Sequence, residues 1–100
     1  MIDVTEKDLA LLQEILRAHI SGAKIWAFGS RAKGTAKRGS DLDIAFDIGS
    51  VLNFSVKARL VEALDEAPLP YNVDLIDLHD ISPEFRALID AHKIALPGFE

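Results

Sequence analysis

The chain has 100 residues, 49% of them apolar, and a net charge of −5, so it is expected to form one domain spanning residues 1–100 around a single core. It contains no cysteine, which excludes disulfides and thiolate metal sites, and no apolar run near the roughly 20 residues that cross a bilayer. The acidic balance argues against stable nucleic-acid binding through phosphate contacts, and a start without basic and apolar signal regions predicts a soluble cytoplasmic protein.

Thr5 opens the first element as an N-cap, with Asp8 three residues on in the place of a capping-box acid. Leu9, Leu12, Leu16 and Ile20 recur at helical spacing, and Ser21-Gly22 ends the run. Residues 25–28 follow as a short strand, apolar on both faces and so expected to be buried, Trp26 and Phe28 included. Residues 29–40 are polar, glycine-containing and basic, and read as a loop or a loop with a short helix.

Over residues 41–47 the pattern alternates: Leu42, Ile44 and Phe46 face one way, and Asp41, Asp43, Ala45 and Asp47 the other. A second amphipathic helix runs from about Asn53 to Leu64, with Val56, Leu60, Val61 and Leu64 on one side, and Pro68 and Pro70 close it off. Residues 72–78 form a third strand. Ser82 caps a last helix with Pro83 at its first position, and Phe85, Leu88 and Ile89 form its expected buried stripe. Residues 94–96 are expected to add a short edge strand. This order predicts an α/β sandwich in which helices pack against one small mixed sheet.

Charge is unevenly spread. From Ile15 to Ser40 there is no acidic residue, while Arg17, Lys24, Arg31, Lys33, Lys37 and Arg38 all fall inside, and acids resume at once with Asp41, Asp43 and Asp47. Two apart on one strand, Asp41 and Asp43 leave the same face roughly 7 Å apart at the backbone. Without a cation they would repel, and one would be driven to hold a proton. A divalent ion removes that penalty, and hard oxygen ligands with open positions for phosphate suit Mg²⁺.

Just upstream, Gly29-Ser30 stands at a strand exit, where glycine lets a phosphate approach the backbone and the Ser30 hydroxyl adds a donor. Arg31 and Lys33 supply positive charge for a triphosphate, and Ser40 at the return of the loop completes the candidate nucleotide-binding set. Asp47, Asp77 and Asp80 read as solvated, and Lys37 and Arg38 as surface charges. His19, His79 and His92 are scattered and carry no catalytic assignment, the first and last lying near helix C-termini where positive charge is favoured.

Gly29-Ser30, ten residues, then Asp41-Leu42-Asp43 resembles the signature of the polymerase-β-like nucleotidyltransferases. The fuller string from Gly29 to Ile44 is similar to the minimal nucleotidyltransferases paired with helical HEPN-type toxins in two-gene toxin–antitoxin systems. The resemblance covers essentially the whole chain and implies the polymerase-β-like fold. It also implies a third carboxylate on a neighbouring strand, for which Asp74 is the matching position. Asp41, Asp43 and Asp74 would then be catalytic and bind two Mg²⁺ ions, with Gly29 and Ser30 holding the β and γ phosphates of ATP. AMP would pass to a protein hydroxyl, expected on a HEPN-type toxin with which this chain would assemble as an antitoxin. Two other readings stay open: an antitoxin that masks its toxin by contact alone, and transfer to a small molecule or to RNA.

Overall fold

A computed structural model describes residues 2–100 of the chain. The elements in order are α1 (Glu6–Ile20), β1 (Lys24–Phe28), α2 (Ser30–Lys33), β2 (Leu42–Asp47), α3 (Phe54–Glu66), β3 (Val73–Asp77), α4 (Pro83–His92) and β4 (Ile94–Ala95). The caps at Thr5 and Ser82 fall where the sequence places them, and Asn53, expected as the first residue of its helix, is the cap of α3. The Thr5 hydroxyl accepts from the Asp8 amide, the Asn53 side chain from Ser55 and Val56, and the Ser82 hydroxyl from Phe85.

The strands form one mixed sheet in the order β3-β2-β1-β4. β1 runs antiparallel to β2 and β4, and β2 runs parallel to β3, with α3 as the crossover between them. Mixed pairing agrees with the expected fold class. The main core lies between one face of this sheet and the pair α1 and α3. Leu12, Leu16 and Ile20 of α1 and Leu60 and Leu64 of α3 pack there with Ile25, Ala27, Leu42, Ile44, Phe46 and Leu75 from the strands. The alternation in β2 sends all three of its large apolar side chains to that side, where each is fully buried.

The opposite face carries a smaller cluster, in which Ile89 of α4 and Leu78 pack on Ala45 with Trp26, Phe28 and Ile76 at its margin. One short helix cannot cover a four-stranded sheet, so this face is only partly closed. Two expectations change as a result, and a third changes on the α3 side. Trp26 and Phe28 are half-buried rather than core: Lys93 Nζ stands 4.4 Å over the Trp26 ring, and Phe85 meets Phe28 edge-on at 6.5 Å. In α4 only Ile89 is buried, while Phe85 is 38% and Leu88 65% exposed. In α3 Val61 turns outward, because the helix leans on the sheet through Leu60 and Leu64.

Candidate active site

The C-terminal end of β1 and the N-terminal ends of β2 and β3 meet at one edge of the sheet, on the face that α4 leaves open. Gly29 leaves β1 with φ 73° and ψ −157°, a left-handed conformation suited to glycine. A Cβ at Gly29 would collide with the Asp43 carboxylate. Two independent demands, backbone angle and contact, therefore select glycine here. Ser30 then starts α2, where the Ala32 and Lys33 amides donate to the Gly29 carbonyl, leaving those of Ser30 and Arg31 at the helix start without an intrahelical acceptor. Gly34 ends α2 in the left-handed region, its amide bonding back to the Ser30 carbonyl.

The register places Asp43 opposite Phe28 of β1 on one side and Asp74 of β3 on the other. Asp41 lies just before β2, two residues from Asp43, so Asp41, Asp43 and Asp74 share a face by strand parity. Asp43 is half-buried, and Asp41 and Asp74 are exposed. Among the described residues, none of the three has a cationic partner within ion-pairing distance. Burial, then the charges of Asp74 and Asp41, push the Asp43 carboxyl above its usual value.

This donor set fits a hard divalent cation such as Mg²⁺: it is all oxygen, negatively charged and short of counter-charge. Among the described residues no three carboxylate, histidine or cysteine side chains already converge as a closed metal cage.

Lys33 lines a cleft of about 220 Å³ together with Phe28, Gly29, Phe85, Leu88 and His92. Ser40 is turned inward: its hydroxyl accepts from the Lys37 amide and its carbonyl from Arg31 Nε, both at 2.9 Å. Arg31 departs furthest from the expected phosphate contact. It is only 8% exposed, and Nε and Nη1 donate to the carbonyls of Ser40 and Asp3. Its guanidinium carbon stands 4.2 Å from the centre of the Tyr71 ring. Tyr71 carries no pattern that would single it out in the sequence. Its role arises because the β3 entry folds beside α2.

Two aspartates read as solvated also prove structural. Asp77 is 3% exposed, its carboxylate accepting from the amides of Leu52 and His79 at 2.8 and 2.9 Å. Asp47 accepts from the Gly49 amide at 2.7 Å, bonds His79 Nε2 at 2.7 Å and lies 3.8 Å from Arg86 Nη2. The Gly49 amide, then His79 and Arg86, lower its pKa against the opposing effect of burial. His79 thus serves Asp47, at the far end of β2 from Asp43.

A glycine turn built against one carboxylate, with a second carboxylate in register on the next strand, places oxygen donors beside a turn that a phosphate could approach. In agreement, the family model described as Polymerase beta, Nucleotidyltransferase matches residues 11–97, and the chain belongs to this family. It is 42% identical over 88 residues to a probable protein adenylyltransferase, MntA, of Haemophilus influenzae, covering 88% of this chain and 77% of that protein. Among solved structures, a toxin–antitoxin complex with AMP-PNP superposes with a TM-score of 0.77 at 30% identity, over 91% of this chain and 73% of the other. A complex of the tri-AMPylated HEPN toxin of Shewanella oneidensis with its MNT antitoxin gives 0.71 at 26% identity, over 93% and 71%.

Proposed function

We propose that this chain is an antitoxin that transfers AMP from ATP to a hydroxyl group of a HEPN-type toxin. The observation that carries the reading is the close approach of Gly29 to Asp43 with Asp74 in register beside it. It is supported by the naming of the Haemophilus relative as a protein adenylyltransferase and by the AMPylated toxin in the Shewanella complex.

In this reading the amides at the start of α2 and the Ser30 hydroxyl hold the β and γ phosphates, and Lys33 adds charge beside them. Asp41, Asp43 and Asp74 are the residues that would hold two Mg²⁺ ions, which when bound neutralise phosphate charge and raise the acidity of the acceptor hydroxyl. The acceptor oxygen forms a bond to the α-phosphorus as the bond to the bridging oxygen breaks. Pyrophosphate leaves on the Gly29–Ser30 side, and the hydroxyl proton passes to solvent on the side of the exposed Asp74. Ser40 orders its loop by accepting from the Lys37 amide, and its hydroxyl keeps a proton that it can donate to phosphate.

Intact-mass measurement of this chain and its toxin, incubated with ATP and Mg²⁺, tests the proposal. Toxin heavier by whole AMP units with wild-type protein, and unmodified with Asp41→Ala/Asp43→Ala, is the expected result. An inhibited toxin of unchanged mass would instead establish masking by contact, for which exposed Phe54 and Leu88 offer apolar surface. Turnover onto a small molecule or RNA with no toxin present would redirect the acceptor assignment.

A further inference from the structure

We infer that Arg31 is a positioning residue, which fixes Asp41 against β3 and makes no contact with the nucleotide. The inference rests on the proposed transfer reaction for its kinetic consequence, but its structural basis is independent. Asp41 lies outside β2, so no strand pairing of its own holds it. Its two neighbouring peptides are held instead. On one side the Ser40 carbonyl accepts from Arg31 Nε at 2.9 Å, and on the other the Leu42 amide donates to the Asn72 carbonyl at 2.9 Å. Asn72 follows Tyr71, whose ring lies against the Arg31 guanidinium, and precedes the strand that carries Asp74.

Arg31 is itself anchored. Its carbonyl accepts from the Asp3 amide at 2.9 Å, while Nη1 donates to the Asp3 carbonyl at 3.1 Å and lies 3.8 Å from the Asp3 carboxylate. The Tyr71 hydroxyl donates to the Asp8 carboxylate of α1 at 3.2 Å, which steadies the other side of the stack. One buried guanidinium thus joins the N-terminal segment, the phosphate helix α2, the Asp41 loop and the entry to β3.

A planar fork with donors in fixed directions and a flat face for an aromatic ring can do this. A lysine ammonium, a point charge on a flexible stem, cannot. The two donors named are already spent on backbone carbonyls, and a cation this buried is tolerated because those bonds and the ring replace water. Loss of the fork therefore shifts Asp41 relative to Asp74 and leaves the phosphate loop backbone intact. A misplacement of about 1 Å can cost on the order of a hundredfold in rate.

The test compares wild type, Arg31→Lys and Tyr71→Leu, the last removing the stacking face while retaining the arginine. Three quantities are measured: ATP affinity in Mg²⁺ by titration calorimetry, kcat and KM for AMP transfer to the toxin, and hydrogen exchange at the Leu42 amide. Positioning predicts that Arg31→Lys binds ATP within about twofold of wild type, that kcat falls by roughly ten- to a hundredfold, and that Leu42 exchanges faster. Tyr71→Leu should reproduce the same pattern more weakly, and it carries the test if Arg31→Lys does not fold. A fall in ATP affinity with kcat retained would make Arg31 a phosphate ligand and overturn the inference. Unchanged kcat and unchanged Leu42 exchange would also overturn it. If wild type itself neither binds ATP nor transfers AMP, the proposed function fails, while Leu42 exchange still decides whether Arg31 holds the loop.

Discussion

The two ends of the β2–β3 strand pair each gather aspartates, and they treat them in opposite ways. At the end where β2 begins, Asp43 stands in register with Asp74 and next to Asp41, with no cationic side chain paired to any of them among the described residues. At the end where β2 finishes, Asp47 is bonded by Gly49 and His79 beside Arg86, and Asp77 by Leu52 and His79. The pKa directions differ accordingly: burial and then the charges of Asp74 and Asp41 raise Asp43, while the Gly49 amide, His79 and Arg86 lower Asp47. In the proposed reading, the carboxylate cluster that the fold leaves uncompensated is the one that would take a cation. One that the fold satisfies is holding loops together.

Substitutions at the two ends should therefore change stability with opposite sign. The largest effect is expected for Asp77→Ala, which leaves two amides without acceptors in a buried setting. It should cost about 3 kcal/mol, seen as a fall in melting temperature of roughly 10–20 °C for a domain of this size. A neutral result would mean that the β2–α3 loop does not depend on Asp77.

Asp43→Asn should do the reverse when no metal is present, raising stability by less than about 1 kcal/mol because the site is partly open to water. Mg²⁺ with ATP should raise the melting temperature of wild type, since a ligand that binds only the folded state stabilises it. The same addition should leave Asp43→Asn nearly unmoved. A wild-type melting temperature indifferent to Mg²⁺ and ATP would remove the distinction between the two ends.

The smallest effect lies in the pH dependence. Asp43, with its pKa raised in the folded state, destabilises the metal-free protein above that pKa and ceases to do so as pH falls through it. The gain from Asp43→Asn should therefore shrink from pH 7 toward pH about 4, near the ordinary carboxylate value. Asp47, with its pKa lowered, contributes stability above its unfolded value and loses it as pH falls through its folded one. Asp47→Asn should accordingly cost stability at pH 7 and less in acid. Denaturant melts across this range check both slopes.

Strand parity is a local property, and it put Asp41 and Asp43 on one face before any fold was known. It also separated Asp74 from Asp77. The same parity held the correction to Asp77: facing away from Asp74 means facing with Leu75 into the α1 and α3 layer, where a solvated aspartate has no room. Phe85 and Leu88 misled because helical spacing reports which residues share a stripe, and nothing local reports how wide a stripe the sheet covers.

The amino-acid order alone settled the three longer helices, the four strands, the caps at Thr5 and Ser82, the apolar face of β2 and the spacing of Gly29 from Asp43, because each depends on backbone periodicity or on neighbours a few residues apart. The parallel pairing that brings Asp74 to Asp43, the burial of Arg31 between Ser40, Asp3 and Tyr71, and the capture of Asp47 and Asp77 by loop amides were set by the folded chain. Those contacts join residues far apart in sequence, and a charged side chain takes its role from whichever partners the packed layers bring within reach.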